Sequence, residues 1–121
     1  MNNPRDVANE VVRCIKEGDI DSLVALFSAV NRRKFGPNED SSRQKMMKVL
    51  DKKRRQIGDV NEVGELRESP SFNGPGGVIA YLREEGDEAF VVTLKKEGDD
   101  YVFDDINSPS VASYQSLKLI E

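Results

Sequence analysis

Few side chains in this sequence can do chemistry, and their placement narrows them further. There is no histidine, and Cys14 is the single cysteine. A histidine-based triad, a haem ligand and a zinc cluster each need groups that are missing, so neither a metal nor a cofactor is expected. Cys14 lies near the apolar stripe of a predicted helix, with no histidine or adjacent basic side chain set to activate it, and reads as a small packing residue. The carboxylates of most interest fall in Tyr101-Val102-Phe103-Asp104-Asp105-Ile106. Both alternate faces of that run are apolar, Val102 and Ile106 with Asp104 on one, Tyr101 and Phe103 with Asp105 on the other. Whichever face turns inward brings a carboxylate with it, and burial raises a carboxylate's pKa toward the range of a useful base. The plainer reading is a strand-end carboxylate accepting turn hydrogen bonds, ahead of Asn107-Ser108-Pro109.

Two other motifs invite a functional reading. Ser69 to Gly77 is rich in glycine and proline, but a phosphate-cradling loop needs a strand before it, a helix after it and commonly a lysine. Here a strand follows and no lysine adjoins, so it reads as a long hairpin connection. Arg32-Arg33-Lys34 and Lys52-Lys53-Arg54-Arg55 are basic clusters. The second sits where cations complement the negative end of a helix dipole. Nucleic-acid binding would want interleaved aromatics or a basic domain, and the chain carries a net charge of −4, so nucleic acid is not an expected partner. The charge is nevertheless uneven: residues 1–58 hold 13 Lys/Arg against 8 Asp/Glu, and residues 59–121 hold 5 against 14. Such asymmetry could steer partners or drive head-to-tail pairing, though solvated faces explain it as well.

The elements that must position these residues follow from periodicity. At 121 residues the chain is expected to form one domain, 1–121, without an apolar run long enough to span a membrane. Its start lacks a signal-peptide core, which makes a cytoplasmic location the default expectation, or an exported one if a leader has been trimmed. A helix is predicted over 4–17, with Asn3 as N-cap, Pro4 at its first position, Val7, Val11, Val12 and Ile15 inward, and Gly18 ending it. Asp19 caps a second helix over 20–30, whose stripe is Ile20, Leu23, Val24, Phe27 and Val30. A capping box at Ser41 and Gln44 opens a third over 42–57, burying Met46, Met47, Leu50 and Ile57. Strands are predicted at 60–68, 77–84, 88–96 and 100–106, the last three joined by the acidic turns Glu85-Gly86-Asp87 and Glu97-Gly98-Asp99. The even-numbered wall Val78, Ala80, Leu82, Phe90, Val92 and Leu94 should face the helices. Ile79, Tyr81 and Val91 make the opposite wall more apolar than solvent requires, which suits a homodimer through the sheet face. The tail, 110–121, is expected to lay Val111, Tyr114, Leu117, Leu119 and Ile120 on the body.

This α+β order, with Glu17-Gly18-Asp19 after the first helix, Leu26-Phe27-Ser28 closing the second and Val92 to Ile106 reading VTLKKEGDDYVFDDI, resembles the nuclear transport factor 2-like superfamily, nearest its small bacterial branches. The resemblance implies a cystatin-like cone, in which three N-terminal helices pack on a curved antiparallel sheet around a pocket, and frequent dimerisation through the sheet. The superfamily includes isomerases, cyclases and dehydratases, and also members without known activity, so the fold alone gives no function. Its enzymes commonly place an Asp, often with His or Tyr, in the pocket. The lack of histidine removes the His-Asp type and leaves Asp104, Tyr81, Tyr101 and Arg83 as polar pocket candidates. The resulting expectation is a non-catalytic domain binding a small apolar ligand or a protein, with Tyr81, Arg83 and Asp104 as the ligand-binding set. The alternative is an isomerase- or cyclase-like enzyme, in which Asp104 is the general base and a tyrosine such as Tyr81 hydrogen-bonds the enolate oxygen.

Overall fold

Asn3 opens the first helix, α1 (Pro4–Glu17), by accepting a 2.8 Å hydrogen bond from the Asp6 amide. Gly18 closes it with φ +70°, a conformation that costs glycine little and other residues more. Asp19 caps α2 (Ile20–Leu26) directly, accepting from the Ser22 amide. The computed structural model describes residues 3–29, 40–69 and 76–120. Val30, the basic cluster 32–34 and most of the glycine-rich loop lie outside the described residues.

The second helix ends sooner than its stripe predicts. Phe27 turns extended (φ −65°, ψ 147°) and bridges Phe103, whose carbonyl accepts from the Ser28 amide at 3.0 Å. The backbone bonds that would have continued the helix are made to the sheet instead. A third helix, α3 (Asp40–Ile57), begins before Ser41, so that residue is already helical and does not serve as its N-cap. Met46, Leu50 and Ile57 are buried on one side, while Met47, one position round, is 43% exposed.

The protein is α+β, with an open antiparallel sheet in the order β1 (Leu66–Glu68), β2 (Val78–Glu85), β3 (Glu88–Glu97), β4 (Asp100–Asn107). Gly86 and Gly98 take φ of +60° and +64° as the first residues of two-residue turns, which match the twist of paired strands. The first strand is shorter than predicted. Residues 60, 61 and 63 bond to helix side chains. Gly64 and Glu65 meet β2 only through Tyr81, whose carbonyl and amide bond the Gly64 amide and the Glu65 carbonyl, both at 2.9 Å. Lys16 donates to the Val60 carbonyl, Asn9 accepts from the Val63 amide at 2.7 Å, and Arg5 donates to the carbonyls of Val63 and Gly64.

One wall of the sheet meets the helices as alternation requires: Val78, Ala80, Val92 and Leu94 are buried in one core with residues of α1, α2 and α3, and α1 lies over β2, β3 and β4. Two β-bulges interrupt that alternation. Leu82 is an extra residue between the pairs Tyr81–Val91 and Arg83–Phe90, and Asp104 is extra between Phe103–Leu94 and Asp105–Thr93. The second bulge lets both Phe103 and Ile106 bury, although they have opposite parity. Asp104 is half-buried and Asp105 exposed, so neither carboxylate is taken fully into the core.

The outer wall is not bare. A short helix, α4 (Val111–Gln115), lays Tyr114 on it beside Ile79, Ala89 and Val91, with Tyr81, Val111 and Leu117 at the margin. The surface that prompted a sheet-face homodimer is therefore covered in part by the chain's own C-terminal segment. Leu119 was expected against the body and is 53% exposed, although its backbone bridges Arg67.

Cys14 is fully buried in α1, and its sequence neighbour Arg13 does approach it, with Nη2 3.5 Å from Sγ. Burial outweighs that cation and pushes the thiol up to about 11. Because the folded pKa is the raised one, Cys14 stabilises the fold fully below the ordinary thiol value of 9.0 and loses that contribution as pH climbs toward about 11. Urea unfolding from neutral to alkaline pH should show this loss, and Cys14→Ala should remove that part of the slope.

Candidate functional site

The bulge at Leu82 decides where the predicted site residues go. Before it, Tyr81 points to the outer wall and stacks on Tyr114, ring centroids 5.0 Å apart. After it, Arg83 pairs with Phe90 on the helix side, where its Nε donates to the Gln56 carbonyl at 2.6 Å and its guanidinium lies 4.7 Å from the Phe90 ring centroid. Its Nη1 also reaches Glu85 at 3.3 Å. Tyr81 and Arg83, which strict alternation puts together, thus lie on opposite faces. Asp104 is two strands away, at the bulge of β4. Tyr101 sits near the other end of the sheet, under the Lys96 ammonium at 5.8 Å. On the helix side, Phe27 and Phe103 occupy the core with ring centroids 5.8 Å apart.

Tyr81 is an unpromising acid. Burial first, and then the Glu84 carboxylate beside it, hold its hydroxyl proton more tightly than in a free tyrosine.

The outer wall carries a groove of about 400 Å³ lined by Ile79, Val91, Thr93, residues 107–110 and Ser113. Ile79 and Val91 are almost wholly buried and form an apolar floor. Thr93 Oγ1 donates to the Asp105 carbonyl at 3.0 Å and accepts from Asn107 Nδ2 at 3.1 Å. The Asn107 carboxamide oxygen has no partner among the described residues and remains an acceptor. Ser110 and Ser113 bond to one another at 2.8 Å on the α4 side. Every lining residue is neutral, so the groove offers shape, apolar surface and hydrogen bonds without a charge.

No protein-family model, curated protein or solved structure matches this chain. Function must therefore be read from geometry.

A polar cluster at the margin of the outer wall has no counterpart in the sequence reading. Arg67 Nη1 donates to the carbonyls of Gln115 and Leu117 at 3.1 and 3.0 Å, and more weakly to that of Tyr114. Its Nη2 reaches Glu65 at 3.2 Å, and its guanidinium lies 4.8 Å from the Tyr114 ring centroid. The Tyr114 hydroxyl donates to the same Glu65 oxygen at 3.2 Å. This cluster fixes α4, and so shapes one side of the groove. Its contacts with α4 span 47 or more residues of sequence, and no local spacing announces them.

Proposed function

We propose that this protein is a non-catalytic binding domain that takes a small, largely apolar, neutral ligand in the groove between the outer wall of the sheet and α4. The architecture we infer for it is the nuclear transport factor 2-like type, on the strength of its helices followed by a four-stranded meander and of the motifs around residues 17–19 and 92–106. The single observation that carries the binding reading is the groove itself, with an apolar floor of Ile79 and Val91 and a rim of neutral donors and acceptors. Lack of convergence supports it further. A proton-abstracting enzyme would need Asp104 and a tyrosine hydroxyl at one substrate position, and Tyr81 is instead committed to Tyr114.

Benzamide is a suitable probe, since it pairs a flat apolar ring with an uncharged amide that can donate to Asn107. In an amide NMR titration it should shift Ile79, Val91, Thr93 and Ser110, with a Kd on the order of 1 mM. Ser113→Trp, which fills the groove from an exposed position, should abolish those shifts. Benzamide shifts that are absent, or scattered and unchanged by the tryptophan, would sink the proposal. So would deuterium exchange into a cyclic ketone faster than in buffer and abolished by Asp104→Asn, which would favour the enzyme.

A further inference from the structure

The crest of α3 is a surface the groove does not use. Lys45, Lys48, Lys52 and Arg55 fall within an arc of about 80° and along about 15 Å of the helix. That arc is opposite the buried Met46, Leu50 and Ile57. The other cations of the helix have work within the molecule: Arg43 pairs with Asp21 at 2.9 Å, Lys53 with Asp105 at 3.1 Å, and Arg54 with Asp51 and the Ile15 carbonyl, both at 3.2 Å. Lys45, Lys48, Lys52 and Arg55 have no carboxylate partner among the described residues. Met47, one of two large hydrophobics exposed among the described residues, lies on the flank of the helix, about 80° round from the nearest of these cations.

An acidic patch lies next to this basic one. Arg83 holds the last turn of α3 through Gln56, and the β2–β3 turn begins two residues later with Glu85. Glu84, Glu85, Asp87 and Glu88 are all exposed there. Glu85 is partly neutralised by Arg83, while the side chains of Asp87 and Glu88 have no partner among the described residues. A polyanion laid on the crest would run into these carboxylates. A second copy would not, because one two-fold rotation can bring each basic crest against the other copy's acidic turn.

We propose that two copies of this chain pair through α3, the basic crest of each helix against the acidic β2–β3 turn of the other. The crest lies apart from the proposed groove, whereas the β2–β3 turn borders it, the Asp87 carbonyl accepting from the Val111 amide at 2.8 Å and Glu88 bridging Ser110. The crest variant is therefore the one that tests pairing without touching the groove.

Sedimentation velocity from about 0.01 M to about 1 M salt tests the pairing, since the Debye length falls from ~30 Å to ~3 Å over that range. A dimer is expected at low salt and a monomer at high salt. Lys48→Glu with Lys52→Glu cancels the crest's net charge, because Lys45 and Arg55 remain against the two new carboxylates. Asp87→Lys with Glu88→Lys cancels the turn's net charge in the same way, because Glu84 and Glu85 remain. Each double variant alone should pair roughly tenfold or more weakly than the wild type, and an equimolar mixture of the two should form a heterodimer. All four positions are exposed, and circular dichroism melts confirm that the variants fold. A wild type monomeric at low salt, a dimer indifferent to both double variants, or a mixture that stays monomeric would overturn the proposal. A fluorescent single-stranded oligonucleotide that binds a monomeric wild type, and is released by the crest variant, would overturn it in favour of a nucleic acid partner.

Discussion

Replacing Tyr114 with alanine is expected to lower the unfolding free energy by about 3–5 kcal/mol. The side chain is 3% exposed and joins three interactions at once: the stack on Tyr81, the hydroxyl bond to Glu65, and the Arg67 guanidinium over its ring. Alanine leaves a void over Ile79 and Val91 and removes what holds α4 on the outer wall. Urea unfolding measures the global loss. Amide hydrogen exchange should show residues 111–117 opening first, because the inner core does not depend on them. Tyr114→Phe separates the contributions: it keeps the ring and loses one bond, at a cost of about 0.5–1.5 kcal/mol. It should also change the alkaline limb of stability. Burial, and then the Glu65 carboxylate, raise the Tyr114 hydroxyl above its ordinary value of 10.0. A raised folded pKa means stability that is complete below about pH 10 and drains away above it. Phenylalanine cannot ionise, so the variant should lose less on going alkaline than the wild type. Parallel alkaline limbs for the wild type and the Tyr114→Phe variant would contradict the burial of the Tyr114 hydroxyl beside Glu65.

Leu94→Ala should cost about 2–5 kcal/mol at any pH at which the protein is folded. Leu94 is wholly buried at the centre of the sheet, paired to Val78 on one side and Phe103 on the other, and packed in the core beneath the helices. The upper part of the range is expected because strands on both sides and helices above leave few ways for the void to collapse. Met47→Ala is a fitting control: its side chain is 43% exposed, and its loss should stay within about 0.5 kcal/mol. If the two substitutions cost the same, the helix-covered wall is not where the core lies.

The bulges explain why these predictions needed tertiary structure. Alternation assigns Arg83 to the side of Tyr81 and sends one carboxylate of β4 inward with its apolar neighbours. One extra residue at Leu82 moves Arg83 onto Phe90 and Gln56, and one at Asp104 lets Phe103 and Ile106 both bury. A bulge is a mismatch in count between two strands, so it is a property of the pair and is absent from either strand alone. The groove has the same character. Ile79 and Val91 show in the sequence as an overly apolar wall, but Thr93, Asn107 and Ser113 gain meaning only when α4 folds back beside them.

What the sequence by itself determined is whatever a few consecutive residues can settle. Asn3, Pro4, Gly18 and Asp19 bound the first two helices because capping is a bond between neighbours three apart. Gly86 and Gly98 place the turns because only the local backbone needs positive φ, and period two marks the inner wall of β3. Tertiary structure alone decided the early end of α2 at Phe27, the loss of 60–63 from the first strand, and the occupant of the outer wall. In each case backbone or apolar groups had competing partners distant in sequence, and the choice rested on which of them the folded chain brought within reach.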